Sequence, residues 1–121
     1  MPKVIIAGSR DFNDYKLLET KVHEILSGIS IKDTEIVSGT ARGADKLGER
    51  LAEQYNLKLT KFPAKWDKYG RSAGYIRNAE MAKYADMCIV FWDGKSKGSE
   101  HMIDLAQKNG LELHVVMYDS E

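Results

Sequence analysis

The chain has one cysteine, no excess of charge of either sign, and no apolar run long enough to span a membrane. Each shortage excludes something. The lone Cys88 cannot close an internal disulfide, and within the run MCIVFW it reads as a small packed hydrophobe. The 18 lysines and arginines are matched by 18 aspartates and glutamates, for a net charge of zero. That balance argues against a sequence-independent grip on nucleic acid, which needs a basic surface to release counterions. The N-terminus MPKVIIAG enters a short apolar run without the longer core and small-residue cleavage site of a signal peptide. A soluble cytoplasmic protein with no membrane partner is expected.

Several catalytic signatures are missing as well. His23, His101 and His114 are far apart, none in HExxH spacing, and no cysteine pair accompanies them, so no metal is expected. Ser9, Ser38, Ser72 and Ser99 lack a nucleophile elbow. GTARGADK has its glycines four apart with no lysine after the second, unlike a P-loop, and GxGxxG is absent. A conventional NTPase or NAD-dependent dehydrogenase is disfavoured, and no cofactor is expected.

What is present is a regular alternation. KVIIAG (3–8), EIVSG (35–39), LKLTKF (57–62), DMCIVFW (86–92) and LELHVVMY (111–118) carry the β-branched and aromatic residues that suit strands. Between them Leu18, Val22, Ile25, Leu26 and Ile29 follow helical spacing, as do Ala44, Leu47, Leu51, Ala52 and Tyr55. Ile76, Ala79, Ala82 and Ala85 form a third stripe, and Met102, Ile103 and Ala106, stopped by Asn109-Gly110, a fourth. The pattern predicts one α/β domain over residues 1–121: a Rossmann-like, doubly wound parallel sheet of about five strands with helices on both faces. Strand order 3-2-1-4-5 or 2-1-3-4-5 would put ligands beyond the carboxyl ends of the strands.

The loops at those ends hold the unusual residues. Seven of the ten glycines fall there: Gly8, Gly39, Gly43, Gly70, Gly74, Gly94 and Gly98. Of only five arginines, against thirteen lysines, Arg10, Arg42, Arg71 and Arg77 lie in these loops or the helical turn that follows. Arginine's planar fork suits bidentate recognition of phosphate, and glycine turns let backbone amides approach an anion near a helix N-terminus. Trp66, Tyr69 and Tyr75 interleave with Lys65, Lys68 and Arg71, a composition that could stack a base or pack a small lid.

The ordered motifs AGSRDF, VSGTARGAD, FPAKW, YGRSAGYIRNAEM and FWDGKSKGSEHMIDLA resemble the SLOG superfamily, in its small stand-alone YspA-like branch, over almost the whole chain. That superfamily also holds the DNA-uptake protein DprA and the Lonely Guy enzymes. The resemblance implies a Rossmann-like sheet binding nucleotides or nucleotide-derived ligands, with some relatives cutting the N-glycosidic bond of nucleoside monophosphates and others sensing cyclic ADP-ribose-type signals. It also points to a homodimer or higher homo-oligomer. Enzymatic relatives pair an arginine in an RK..M helix start with a glutamate in GGxGTxxE. Arg77 matches the first, with Asn78 where lysine would stand. At the glutamate position this chain holds Met102, and Glu100 lies two residues earlier, pointing elsewhere on a helix.

Without that placed carboxylate a binding role is favoured over hydrolysis, with Arg77 and Glu100 the candidates should the chain be an enzyme. The expected ligand is a phosphorylated nucleotide or an ADP-ribose-like or cyclic relative, sensed or sequestered; a Lonely Guy-type phosphoribohydrolase is the alternative and DprA-type single-stranded DNA binding a third. Phosphate is expected on the Gly8 to Arg10 and Gly39 to Gly43 amides with Ser9, Thr40, Arg42, Arg77, Gly98 and Ser99. Trp66 or Tyr69 would cover the base, and Arg71, Asn78, Asp93 and Gly94 complete the site. Asp45 is expected to cap its own helix or else to accept from ribose hydroxyls.

Overall fold

The computed structural model describes residues 1–119. Five parallel strands, β1 (Lys3–Gly8), β2 (Glu35–Ser38), β3 (Lys58–Lys61), β4 (Met87–Trp92) and β5 (Glu112–Met117), form one sheet in the order β3-β2-β1-β4-β5. This is the first of the two expected orders, and the α/β Rossmann-like class holds. Helices α1 (Tyr15–Ile25) and α2 (Ala44–Gln54) cover one face; α4 (Ala73–Tyr84) and α5 (Lys97–Lys108) cover the other. A short helix α3 (Trp66–Tyr69) and a 3-10 turn, Gly70–Ser72, stand between β3 and α4.

The sheet alternates as a parallel sheet covered on both faces must. Val4 and Ile6 of β1 with Ile89 and Phe91 of β4 point toward α1 and α2, while Ile5, Ala7, Cys88 and Val90 point toward α4 and α5. All eight are buried, because β1 and β4 are central. Each large apolar side chain so removed from water contributes about 1.5–3 kcal/mol, which holds the loops beyond the strands on a rigid base. Cys88 is fully buried, its thiol pushed up to about 12 by burial and then by the charge of Asp45. No helix among the described residues is long and apolar enough to cross a membrane.

Two helical readings are corrected. Ile29 lies beyond α1, which ends with Leu26 as its C-cap, and is 38% exposed. In α4 the buried positions are Ala73, Arg77, Asn78, Met81 and Ala82, whereas Ile76 and Ala79 are half-buried. An apolar count misses that face because two of its residues are polar and satisfy each other: Arg77 Nε donates to Asn78 Oδ1 at 2.9 Å.

A groove of four arginines beyond the switch point

The sheet changes winding direction between β1 and β4, and the loops after these strands part there. They are fastened together below the opening. Ser9, 1% exposed, donates its amide to the Phe91 carbonyl at 2.9 Å and accepts at Oγ from the Asp93 amide at 3.2 Å. Glycines permit the close approach. A Cβ on Gly8 would overlap the Phe91 carbonyl oxygen, and one on Gly43, whose φ is 79°, would overlap the Ser9 carbonyl oxygen. Gly8 and Gly43 therefore let loops pack on each other, and Gly43 does not line the groove.

The loop after β2 folds back over its own helix. Ser38 Oγ accepts from the Thr40 amide at 3.0 Å and donates to Glu49 Oε2 at 2.7 Å. Thr40 has a φ of 65°, uncommon for a β-branched residue and typical of backbone held for a function. Asp45 Oδ2 accepts from the Ala41 amide at 3.2 Å. The N-cap of α2 is Gly43, without a side-chain bond, so the expectation that Asp45 caps its helix's own amides is corrected. Its carboxylate ties the preceding loop instead.

Across from Asp45 stands Arg77. Its Nη1 donates to the Gly39 carbonyl, and a Cβ on Gly39 would lie 2.8 Å from Asp45 Oδ2 and 2.9 Å from Arg77 Nη1. Gly39 is thus the gap through which the two charges face each other. Asp45 is 4% exposed, and burial pushes its carboxyl up to about 6, with Arg77, the Ala41 amide and Arg10 pulling the other way. Burial also lowers the Arg77 guanidinium, while Asp45 raises it.

Three adjoining lobes, of about 430, 210 and 280 Å³, share Arg10 and Arg77 and make one groove. The largest lies beyond β1 and β4, with Gly8, Ser9, Asp45, Asn78, Asp93, Gly98 and Ser99 in its wall. Arg71 and Trp66 border the second; Gly39, Thr40, Arg42 and Trp66 border the third. All four loop arginines therefore meet here, and the fifth, Arg50, lies over the Tyr15 ring at 4.0 Å, away from the groove.

Besides Gly43, three expected residues are not in its wall. Tyr69, in α3, lies under the Lys68 ammonium, 5.1 Å from its ring centroid. Gly94 forms the turn after β4, beside Met117. Glu100 is exposed on α5 and lines none of the three lobes, while Met102 is buried in the wall of the first. The helical geometry of α5 decides this: residues two apart face different ways.

Tyr75, singled out with Trp66 and Tyr69 as a possible stacking aromatic, lines the second lobe and packs edge-on against His101 at 4.5 Å. Others were missed. Ser96 is the N-cap of α5, accepting from the Ser99 amide at 3.4 Å, and lines the first lobe; its position before a helical run was the available signal. Asp93 Oδ1 accepts from the Lys95 and Ser96 amides at 2.8 and 2.9 Å, which hold its carboxyl below the usual range. No group of three or more His, Cys, Asp or Glu among the described residues could hold a metal ion.

Comparison with known proteins follows the same geometry. The DNA processing protein A (DprA) of Streptococcus pneumoniae superposes with a TM-score of 0.75 over 95% of this chain, at 20% identity, so the likeness is one of fold. This chain spans 50% of that protein's length. The Gene 61 protein of Mycobacterium phage D29 is 35% identical over 123 aligned residues, covering 93% of this chain and 94% of that protein. A family model described as YspA, cpYpsA-related SLOG family matches residues 2–69, more than half of the chain, including the loops after β1 and β2. The chain belongs to the YspA, cpYpsA-related SLOG family.

Proposed function

We propose that this chain binds a phosphorylated nucleotide or a nucleotide-derived ligand, ADP-ribose-like or cyclic, in the groove at the carboxyl edge of its sheet, as a sensor or a store. One observation carries the reading: Arg77, buried in α4, borders all three lobes and meets Arg10, Arg42 and Arg71 around them. In a chain of zero net charge, four guanidinium groups around one groove suit a phosphate-bearing ligand. Trp66, half exposed between two of the lobes, offers a face on which a base can stack.

Calorimetry against AMP, ADP, ADP-ribose and cyclic dinucleotides tests it. Arg10 is exposed, so Arg10→Ala leaves the fold intact and should weaken binding by about tenfold, the usual loss for a charge-assisted contact. Failure of every ligand to bind, or undiminished affinity in both Arg10→Ala and Arg77→Ala, sinks the proposal. A phosphoribohydrolase of the Lonely Guy type would need its carboxylate at the position this chain fills with Met102, and Glu100 lines none of the three lobes. Free base released from nucleoside monophosphates, seen by chromatography, would replace binding with hydrolysis.

The fold shared with a DNA processing protein favours single-stranded DNA as a second reading. Trp66 and Tyr75, both about half exposed beside Arg71, could stack successive bases. A gel shift at physiological salt decides between them: retention of an oligonucleotide at micromolar protein favours DNA, and its absence favours the mononucleotide ligand.

A further inference from the structure

Charge is distributed unevenly along the groove. The two lobes beside Trp66 bring together Arg10, Arg42, Arg71 and Arg77 with no carboxylate in their walls. The lobe beyond β1 and β4 keeps Arg10 and Arg77 but adds Asp11, Asp45 and Asp93. A phosphate dianion is favoured on the four-arginine side and repelled by three carboxylates on the other. The largest lobe is therefore left for the neutral, hydroxyl-bearing part of a nucleotide.

Within that lobe the three carboxylates are not equivalent. Asp93 is occupied by two backbone amides, and Asp11 accepts from the Tyr118 hydroxyl. Asp45 is nearly excluded from solvent; its Oδ2 accepts one amide, and its Oδ1 accepts no hydrogen bond from any described residue. No fully buried side-chain oxygen among the described residues lacks a partner, so the Asp45 oxygen that accepts nothing opens to the groove, while burial of the side chain as a whole raises its carboxyl. A nucleotide brings two kinds of donor, base N–H groups and sugar hydroxyls; with Trp66, the platform for the base, on the other two lobes, the hydroxyls are those left for Asp45.

Resting on the nucleotide reading above, we infer that Asp45 is a specificity-determining residue that accepts from the vicinal hydroxyls of a ribose, so that the site takes ribonucleotides over nucleotides lacking that diol. A site built around a buried acceptor rejects the analogue without the hydroxyl, because the acceptor is then left unpaired. Hydrogen bonds to a charged group are the stronger kind, so the discrimination should be large for a small chemical change.

The test compares ADP with 2′,3′-dideoxyadenosine 5′-diphosphate by calorimetry. Wild-type protein should bind ADP at least about tenfold more tightly, and Asp45→Ala should bring the ratio to about one while dideoxy binding persists. Thermal melting checks that the variant folds; should it not, the isosteric Asp45→Asn takes its place, with the ratio falling to about threefold. Equal affinity of the wild type for the two nucleotides, or an unchanged ratio in the variant, overturns this inference and leaves nucleotide binding standing. Binding of neither nucleotide removes the nucleotide reading and this inference together.

Discussion

Glu35, at the amino end of β2, and Asp45, beyond its carboxyl end, are both nearly excluded from solvent, at 2% and 4% exposure. Glu35 accepts from the Thr60 hydroxyl at 2.8 Å and from the Tyr84 hydroxyl, and Lys58 Nζ stands 3.4 Å away. Burial raises its carboxyl, but these three partners together hold it below the ordinary value. Asp45 has one amide and a guanidinium across a gap, and burial wins. The same fold thus completes one buried carboxylate and leaves the other short of partners. Under the proposed function, the missing partner of Asp45 is a ligand hydroxyl.

Breaking the completed end should have the largest effect. Glu35→Ala leaves the Thr60 and Tyr84 hydroxyls without their acceptor and should destabilise by about 3 kcal/mol in urea, with nucleotide affinity unchanged. A loss below about 1 kcal/mol would show that the cluster is not what holds β2, β3 and α4 together at that end.

The opposite sign is expected at the other end. Asp45→Asn removes a desolvated charge and should be stabilising at pH 7 by on the order of 2 kcal/mol, at the cost of discrimination between ADP and its dideoxy analogue. Destabilisation by the same amount would make Asp45 a structural residue like Glu35.

Proton linkage sharpens the contrast. The folded-state value of Asp45 is raised from 3.8 to about 6, so the native state binds the extra proton between these values. Its contribution to stability therefore falls as pH rises from about 4 to about 6. Glu35 is lowered from 4.5, so its contribution is present above that value and is lost as pH falls through its folded value. Unfolding free energies of wild type and Asp45→Asn should converge near pH 4 and separate by pH 6. Parallel curves would contradict the assignment.

Two smaller changes probe the gap and the rim. Gly39→Ala puts a methyl between Asp45 and Arg77, and affinity for ADP should fall by about tenfold. Trp66→Ala should change stability by less than about 0.5 kcal/mol, because the ring is 51% exposed, yet weaken ADP by about tenfold if it stacks the base. Equal ADP affinity would move the base elsewhere.

Much of this was legible in the residues. Five strands and four helices follow from apolar periodicity, and Arg10, Arg42, Arg71 and Arg77 stand out because arginine is scarce beside lysine. Glu35 was not legible as special, since its partners Thr60 and Tyr84 are 25 and 49 residues away. Tyr75 stood out among the loop aromatics, but that it reaches the groove and Tyr69 does not follows from how α3 and the turn after it lead into α4.

By itself the sequence determined the alternation of strands and helices, and with it a parallel sheet whose carboxyl edge carries the loop arginines. Local spacing is sufficient for that, because each element buries a face of its own period. Tertiary structure alone decided the strand order, the placing of Tyr69 outside the groove wall, and the meeting of Asp45 with Arg77 through Gly39. Those depend on which side chains from distant segments share one small volume, and on how few donors reach a carboxylate once water has been excluded.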